Sequence, residues 1–133
     1  RHIRRRMWEK WTMLATLGSS NALMPGSIGE IEAAPGGTDL VLRLLGEIVS
    51  IARTAGTEPG EAFLDTARTT LTAKGSPLTS SMYRDLVAGN AVEAEQIVGD
   101  LLARGRKAGL DLPLLSAAST NLMVYQNRIS ASR

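Results

Sequence analysis

Cysteine is absent from this 133-residue chain, and histidine occurs once, as His2. No disulfide, thiolate metal site or cysteine nucleophile is therefore available. A single histidine at the extreme end leaves no material for a histidine triad or a zinc site, so no metal is expected. The lack of cysteine fits a cytoplasmic protein. Aromatic residues are scarce, at 4 %, and few β-branched or aromatic runs keep a two-residue period, so a sheet is not expected. A phosphate-binding glycine loop is also missing. Ala34-Pro35-Gly36-Gly37 does not match G-x-G-x-x-G and follows no strand. No segment can supply a dinucleotide-binding βαβ unit. Glu9 and Lys10 interrupt the N-terminal apolar stretch, and no run approaches the roughly 18–20 residues of a membrane span. Neither a signal peptide nor a membrane partner is expected.

The residues that are present suit close-packed helices. Hydrophobic residues make up 44 % and charged residues 21 %, ordinary values for a globular chain long enough for one domain with a real core. The net charge is +2, but Arg1, Arg4, Arg5 and Arg6 supply four of the fifteen basic residues. Without them the balance is eleven positive against thirteen negative. The basic character is a terminal cluster, read as a solvated first helical turn. A nucleic-acid surface would spread its cations along one face and interleave aromatics, so no nucleic-acid partner is expected. The chain does not begin with methionine, which suggests a piece of a longer protein or a trimmed one.

Periodicity and punctuation predict an all-α domain of six or seven helices over residues 1–133. A long helix is expected over about 3–24, stopped by Pro25-Gly26. A short helical turn follows over 27–34. Thr38 is a candidate N-cap for a helix whose stripe is Val41, Leu44, Leu45, Ile48, Val49 and Ala52, with Gly56 past its end. Pro59 is a candidate first position of a shorter helix burying Phe63, Leu64, Ala67 and Leu71. Thr79 or Ser80 is placed to cap a short helix through about residue 87, which Gly89-Asn90 breaks. A helix over about 91–108 should turn Ala94, Ile97, Val98, Leu101 and Leu102 inward, with Gly99 at a close helix contact and Gly109 at its end. Pro113 should start the last helix, running to about Ile129.

In the first helix, Ile3, Met7, Lys10, Leu14, Leu17 and Asn21 recur at three- and four-residue steps and share one side. Glu9, Thr12, Thr16 and Ser19 gather opposite, with Arg5. Lys10 thus points with the apolar residues. Either it snorkels to an edge or its charge is used in a site. Trp8 and Trp11 read as core.

Trp8-x-Lys10, the later Ser80-Ser81-Met82-x-x-Asp85 tract, Gly89-Asn90, Glu93 and the Gly109-Leu110-Asp111-Leu112-Pro113 tail occur in a telling order. Together they resemble the C-terminal domain of ketopantoate reductases (2-dehydropantoate 2-reductases), over nearly the whole chain. The resemblance implies an all-α fold like the C-terminal part of phosphogluconate dehydrogenases. It implies a role as the substrate-side half of an NADP-dependent enzyme that reduces a 2-keto acid to a 2-hydroxy acid. The cofactor would be bound mainly by an N-terminal Rossmann domain that this chain lacks, so the chain alone is expected to be inactive, and no cofactor-binding residue is assigned. In the family the lysine matched by Lys10 is the general acid, the serine matched by Ser81 binds the substrate carboxylate, and the acid matched by Glu93 binds the substrate hydroxyl and organises the lysine. A homodimer is a further expectation.

The chain also departs from that pattern. Asparagines usual four and eight positions after the lysine are here Leu14 and Gly18, and an asparagine common three before the second serine is Leu78. Either the substrate is less polar than ketopantoate or the pocket is filled differently. Local alternatives stand beside these roles: Ser80 and Ser81 as helix caps, and Glu93 as a carboxylate favoured by a helix N-terminus. The competing function is a non-catalytic helical module for dimerisation or metabolite binding.

Overall fold

In a computed structural model, the protein is described over residues 2–80 and 94–131. Six helices and no strand occur among these residues: α1 His2–Leu23, α2 Ile28–Ala33, α3 Gly37–Thr54, α4 Glu61–Leu71, α5 Ala94–Lys107 and α6 Pro113–Ala131. The expected helix starting near residue 80 falls outside the described residues.

α3 follows its sequence pattern. Val41, Leu44, Leu45, Ile48, Val49 and Ala52 are all buried, and each large aliphatic removed from water contributes about 1.5–3 kcal/mol. Leu64, Ala67 and Leu71 of α4 are buried, with Phe63 packed against them. Two apolar clusters form. One joins α1, α3, α5 and α6 through Trp8, Ile48, Ile51, Val98, Leu101, Leu115 and Leu122. The other joins α1 to α2, α3 and α4 through Leu17, Ile28, Ile31, Val41, Leu45 and Leu64. α1 belongs to both, and from Ala15 to Ala22 every one of its residues is buried. That stretch has neighbours all round, which explains Ala15, Gly18, Ser19, Ser20 and Ala22: small side chains let helices approach closely.

Several expected boundaries shift. The cap of α3 is Gly36, not Thr38, and α4 is capped by Gly60, so Pro59 precedes the helix instead of opening it. The Gly60 N–H donates to the Glu9 carboxylate of α1 at 3.0 Å, which ties the start of α4 to α1. Gly56 and Gly109 do end α3 and α5 at positive φ, 86° and 82°. Within α5, Val98, Leu101 and Leu102 face inward, but Ile97 stays 36 % exposed. Gly99 makes no close contact among the described residues. The tight approach is at Gly105, where a Cβ would collide with the Leu112 side chain and lie 3.1 Å from Ile51.

Candidate functional site

The largest departure from the sequence pattern concerns the helix that carries Lys10. Thr12, Thr16 and Ser19, expected on the wet side, are fully buried, whereas Ile3, Met7 and Leu14 are 79 %, 43 % and 38 % exposed. Thr12 is accommodated by donating its hydroxyl to the Trp8 carbonyl at 2.7 Å. The Thr16, Ser19 and Ser20 hydroxyls have no partner among the described residues. Close packing of α1 against α3 and α6 selects these small residues despite their polarity. Only Leu17 and Asn21, from the buried second half of the expected apolar stripe, lie inside.

Lys10 is consequently exposed, and it does not snorkel out of the core. Its ammonium group stands in a line with Ile3, Met7 and Leu14 and has no carboxylate within 4 Å among the described residues. Of the three departures from the family pattern, Leu14 shares this exposed line, one turn beyond Lys10. Gly18 is buried in the helix packing, and Leu78 packs against the second core cluster. Neither of these two adds a wall to an open cleft.

Trp8 is buried, and the half-buried Trp11 meets it edge to face with ring centroids 5.3 Å apart. The Arg104 guanidinium of α5 lies over the Trp8 ring, 5.9 Å from its centroid, a distance at which a cation is attracted to the ring face. Beside this stack, Trp11, Gln96, Ile97, Asp100, Leu101 and Arg104 line a groove of about 360 Å³ between α1 and α5. Such a volume takes a small metabolite. Its signal in the sequence is partial: Gln96, Asp100 and Arg104 recur every four residues, a spacing equally typical of a solvated helix face.

Ser81 and Glu93, the other two candidate site residues, lie outside the described residues. The backbone at residue 80 is described. Its N–H donates to the Asn21 carboxamide oxygen of α1 at 3.0 Å, so the segment leading to Ser81 is fixed to the helix of Lys10. Among the described residues no cluster of His, Asp and Glu is arranged to hold a metal ion. No helix among them is long and apolar enough to cross a membrane.

Three comparisons bear on this arrangement. The uncharacterized oxidoreductase YkpB of Bacillus subtilis (strain 168) is 27 % identical over 125 residues, covering 94 % of this chain and 41 % of its own length. A 2-dehydropantoate 2-reductase of Streptococcus pyogenes serotype M3 is 28 % identical over 108 residues, covering 80 % of this chain and 35 % of its own. The dimeric ketopantoate reductase of Staphylococcus aureus superposes with a TM-score of 0.83 at 27 % identity, over 96 % of this chain and 44 % of that one. The chain thus spans less than half the length of the relatives it matches. The family model for the C-terminal part of ketopantoate reductase PanE/ApbA matches residues 2–126, and with nearly its whole length so matched the chain belongs to that family.

Proposed function

We propose that this chain is the substrate-side half of an NADP-dependent reductase of 2-keto acids, in which Lys10 is the proton donor. The observation that carries this reading is the setting of Lys10: an outward cation without an acid partner among the described residues, in a line of exposed Ile3, Met7 and Leu14. An apolar line of this kind suits coverage by a second body. We assign that body to a Rossmann domain preceding α1 in a longer polypeptide. Closing it over Lys10 would exclude water, and electrostatic interactions strengthen where water is excluded.

Nothing among the described residues fits a dinucleotide, since they hold no strand and the sequence holds no phosphate loop. The cofactor would therefore be held by the preceding domain, where its reduced form, NADPH, would supply the hydride. The residues of this chain contribute the rest. Lys10 gives its proton to the carbonyl oxygen as negative charge develops on it. The Ser81 hydroxyl donates to the substrate carboxylate, and this fixes the carbonyl in one orientation. Glu93 accepts from the nascent hydroxyl and orients the Lys10 ammonium. Leu14, where the family usually has asparagine, favours a 2-keto acid with a less polar side chain than ketopantoate. With ketopantoate itself as substrate, the product would serve pantothenate and coenzyme A biosynthesis in the cytoplasm. The dimeric S. aureus relative supports a homodimer.

NADPH oxidation by the full-length parent, measured with a panel of 2-keto acids, tests this reading. The parent should oxidise NADPH only when a 2-keto acid is present. The 133-residue chain alone should neither turn over nor bind NADPH with low-micromolar affinity in a fluorescence titration. Tight NADPH binding by the isolated chain would contradict the division of labour. A parent inert toward every 2-keto acid would favour a non-catalytic module.

A further inference from the structure

Ile97 is a large aliphatic that remains 36 % exposed on α5, and Trp11 on α1 is only half-buried. Both line the groove of about 360 Å³ between these helices, and the buried Leu101 lines it with them. Three large apolar side chains thus meet a space open to solvent. Gln96, Asp100 and Arg104 supply the polar groups around it. Lys10 does not line it. Successive residues of a helix project about 100° apart, so the neighbours Lys10 and Trp11 serve different sides of α1.

Asp100 and Arg104 stand four residues apart, the spacing at which opposite charges on a helix pair. Asp39 and Arg43 of α3 do so at 2.9 Å. Asp100 and Arg104 do not: neither has an oppositely charged group within 4 Å among the described residues. The Arg104 guanidinium lies over the Trp8 ring instead. Stacking engages the flat face of a guanidinium and leaves its in-plane N–H donors for a carboxylate. It also holds a long side chain in place before any ligand arrives, which lowers the entropy cost of binding. The groove therefore presents one separate cation and one separate anion next to an apolar wall. A simple carboxylic acid would satisfy Arg104 and be repelled by Asp100, and a simple amine would meet the reverse. A zwitterion satisfies both. Asp100 and Arg104 also border a wider hollow of about 670 Å³ toward α3, but its only apolar side chains are alanines. The apolar part of a ligand is favoured on the Trp11 side.

We propose that this groove is a second ligand site, separate from Lys10, for a small α-amino acid with an aliphatic side chain. The ligand carboxylate meets Arg104, its ammonium group meets Asp100, and its side chain covers Trp11, Ile97 and Leu101. The size of the groove suits such a molecule. The site does not depend on the role assigned to Lys10.

The test is a fluorescence titration of the 133-residue chain, whose two buried apolar clusters give it a core of its own. Trp8 and Trp11 are its only tryptophans, one stacked with Arg104 and the other in the groove wall, so the signal reports on this site. L-Leucine is compared with 4-methylpentanoate, which lacks the ammonium group, with 3-methylbutylamine, which lacks the carboxylate, and with glycine, which lacks the apolar side chain. Leucine should give a saturable change with a Kd of roughly 0.1–1 mM, the range for so small a ligand. Each of the other three should bind at least about fivefold more weakly. Asp100→Asn should weaken leucine about five- to tenfold and leave 4-methylpentanoate as tight as before or tighter, because a repulsion is removed. Arg104→Gln should weaken leucine by about the same factor and spare 3-methylbutylamine. Both side chains are exposed, so neither change opens the core. Lys10→Ala should hold the leucine Kd within about twofold of wild type. No saturable change with leucine up to about tenfold above the expected Kd, a partial ligand that binds as tightly as leucine, or an unchanged leucine Kd in Asp100→Asn would overturn the proposal. Loss of leucine binding in Lys10→Ala would place the ligand at the proton donor, which overturns the separate site and leaves the reductase reading intact.

Discussion

Replacing Glu47 with alanine should loosen the attachment of the last helix. Glu47 sits half-buried on α3. Its carboxylate accepts from the Leu114 N–H at 3.0 Å and the Leu115 N–H at 2.8 Å. The first residue of α6 is Pro113, which has no N–H to satisfy. The Ser116 N–H donates to the Leu112 carbonyl at 2.9 Å. Every donor in the first turn of α6 is therefore accounted for, two of them by one carboxylate from a helix more than sixty residues earlier. Hydrogen bonds to a charged group contribute roughly 1.5–3 kcal/mol each in protected sites, and a carboxylate at a helix N-terminus adds about 0.3–1 kcal/mol. Water reaches a half-buried site and replaces part of this, so Glu47→Ala should cost about 2 kcal/mol. In a domain of this size that corresponds to a Tm lower by roughly 6–10 °C. Glu47→Gln keeps one acceptor oxygen and should lose about half as much. Urea unfolding of both variants, followed by far-ultraviolet circular dichroism, gives the numbers. An alanine variant within about 0.5 kcal/mol of wild type, the range of an ordinary surface change, would refute the argument that α3 caps α6.

Two further outcomes test α1. Thr16→Val replaces a buried hydroxyl that has no partner among the described residues with a methyl of the same shape, and should leave stability unchanged or raise it by up to about 1 kcal/mol. A loss above about 1 kcal/mol in thermal unfolding would mean that the hydroxyl is bonded or wet. Leu14→Asn, on the exposed line, should change stability by less than about 0.5 kcal/mol. In the parent enzyme it should also shift kcat/KM toward ketopantoate over 2-keto acids with apolar side chains. An unchanged preference ratio would take Leu14 out of the substrate pocket.

The helices that were legible in the sequence are those whose buried side consists of large aliphatics. α3 announces its face through Val41, Leu44, Leu45, Ile48 and Val49, and burial of such groups is strong enough to decide orientation. α1 does not, because periodicity scores side-chain polarity and has no access to the distance of the neighbouring helix. Thr12, Thr16 and Ser19 lie inside because they are small, and Ile3, Met7 and Leu14 lie outside on a line suited to another body. Gly99 and Gly105 are indistinguishable by sequence. Only Gly105 meets Ile51 of α3 and Leu112, which lies just before α6. The same limit hides the Asn21–Ser80 bond and the Glu47 cap, each of which joins residues far apart in the chain. Lys10 shares a line with Ile3, Met7 and Leu14, as its spacing indicates, but that line faces outward and not into the core. Family membership, in contrast, was readable from the order of short motifs along the chain, and the match over residues 2–126 bears it out.

The central claim is that Lys10 delivers the proton in a 2-keto acid reduction, and steady-state kinetics of Lys10→Ala in the full-length parent test it most directly. With saturating NADPH and the best 2-keto acid substrate, kcat should fall by roughly 10²–10⁴-fold, the usual span for loss of a general acid. Thermal unfolding should stay close to wild type, because the Lys10 side chain is exposed and makes no ion pair among the described residues. A Lys10→Ala enzyme that reduces every 2-keto acid in the panel at the wild-type kcat would contradict the account.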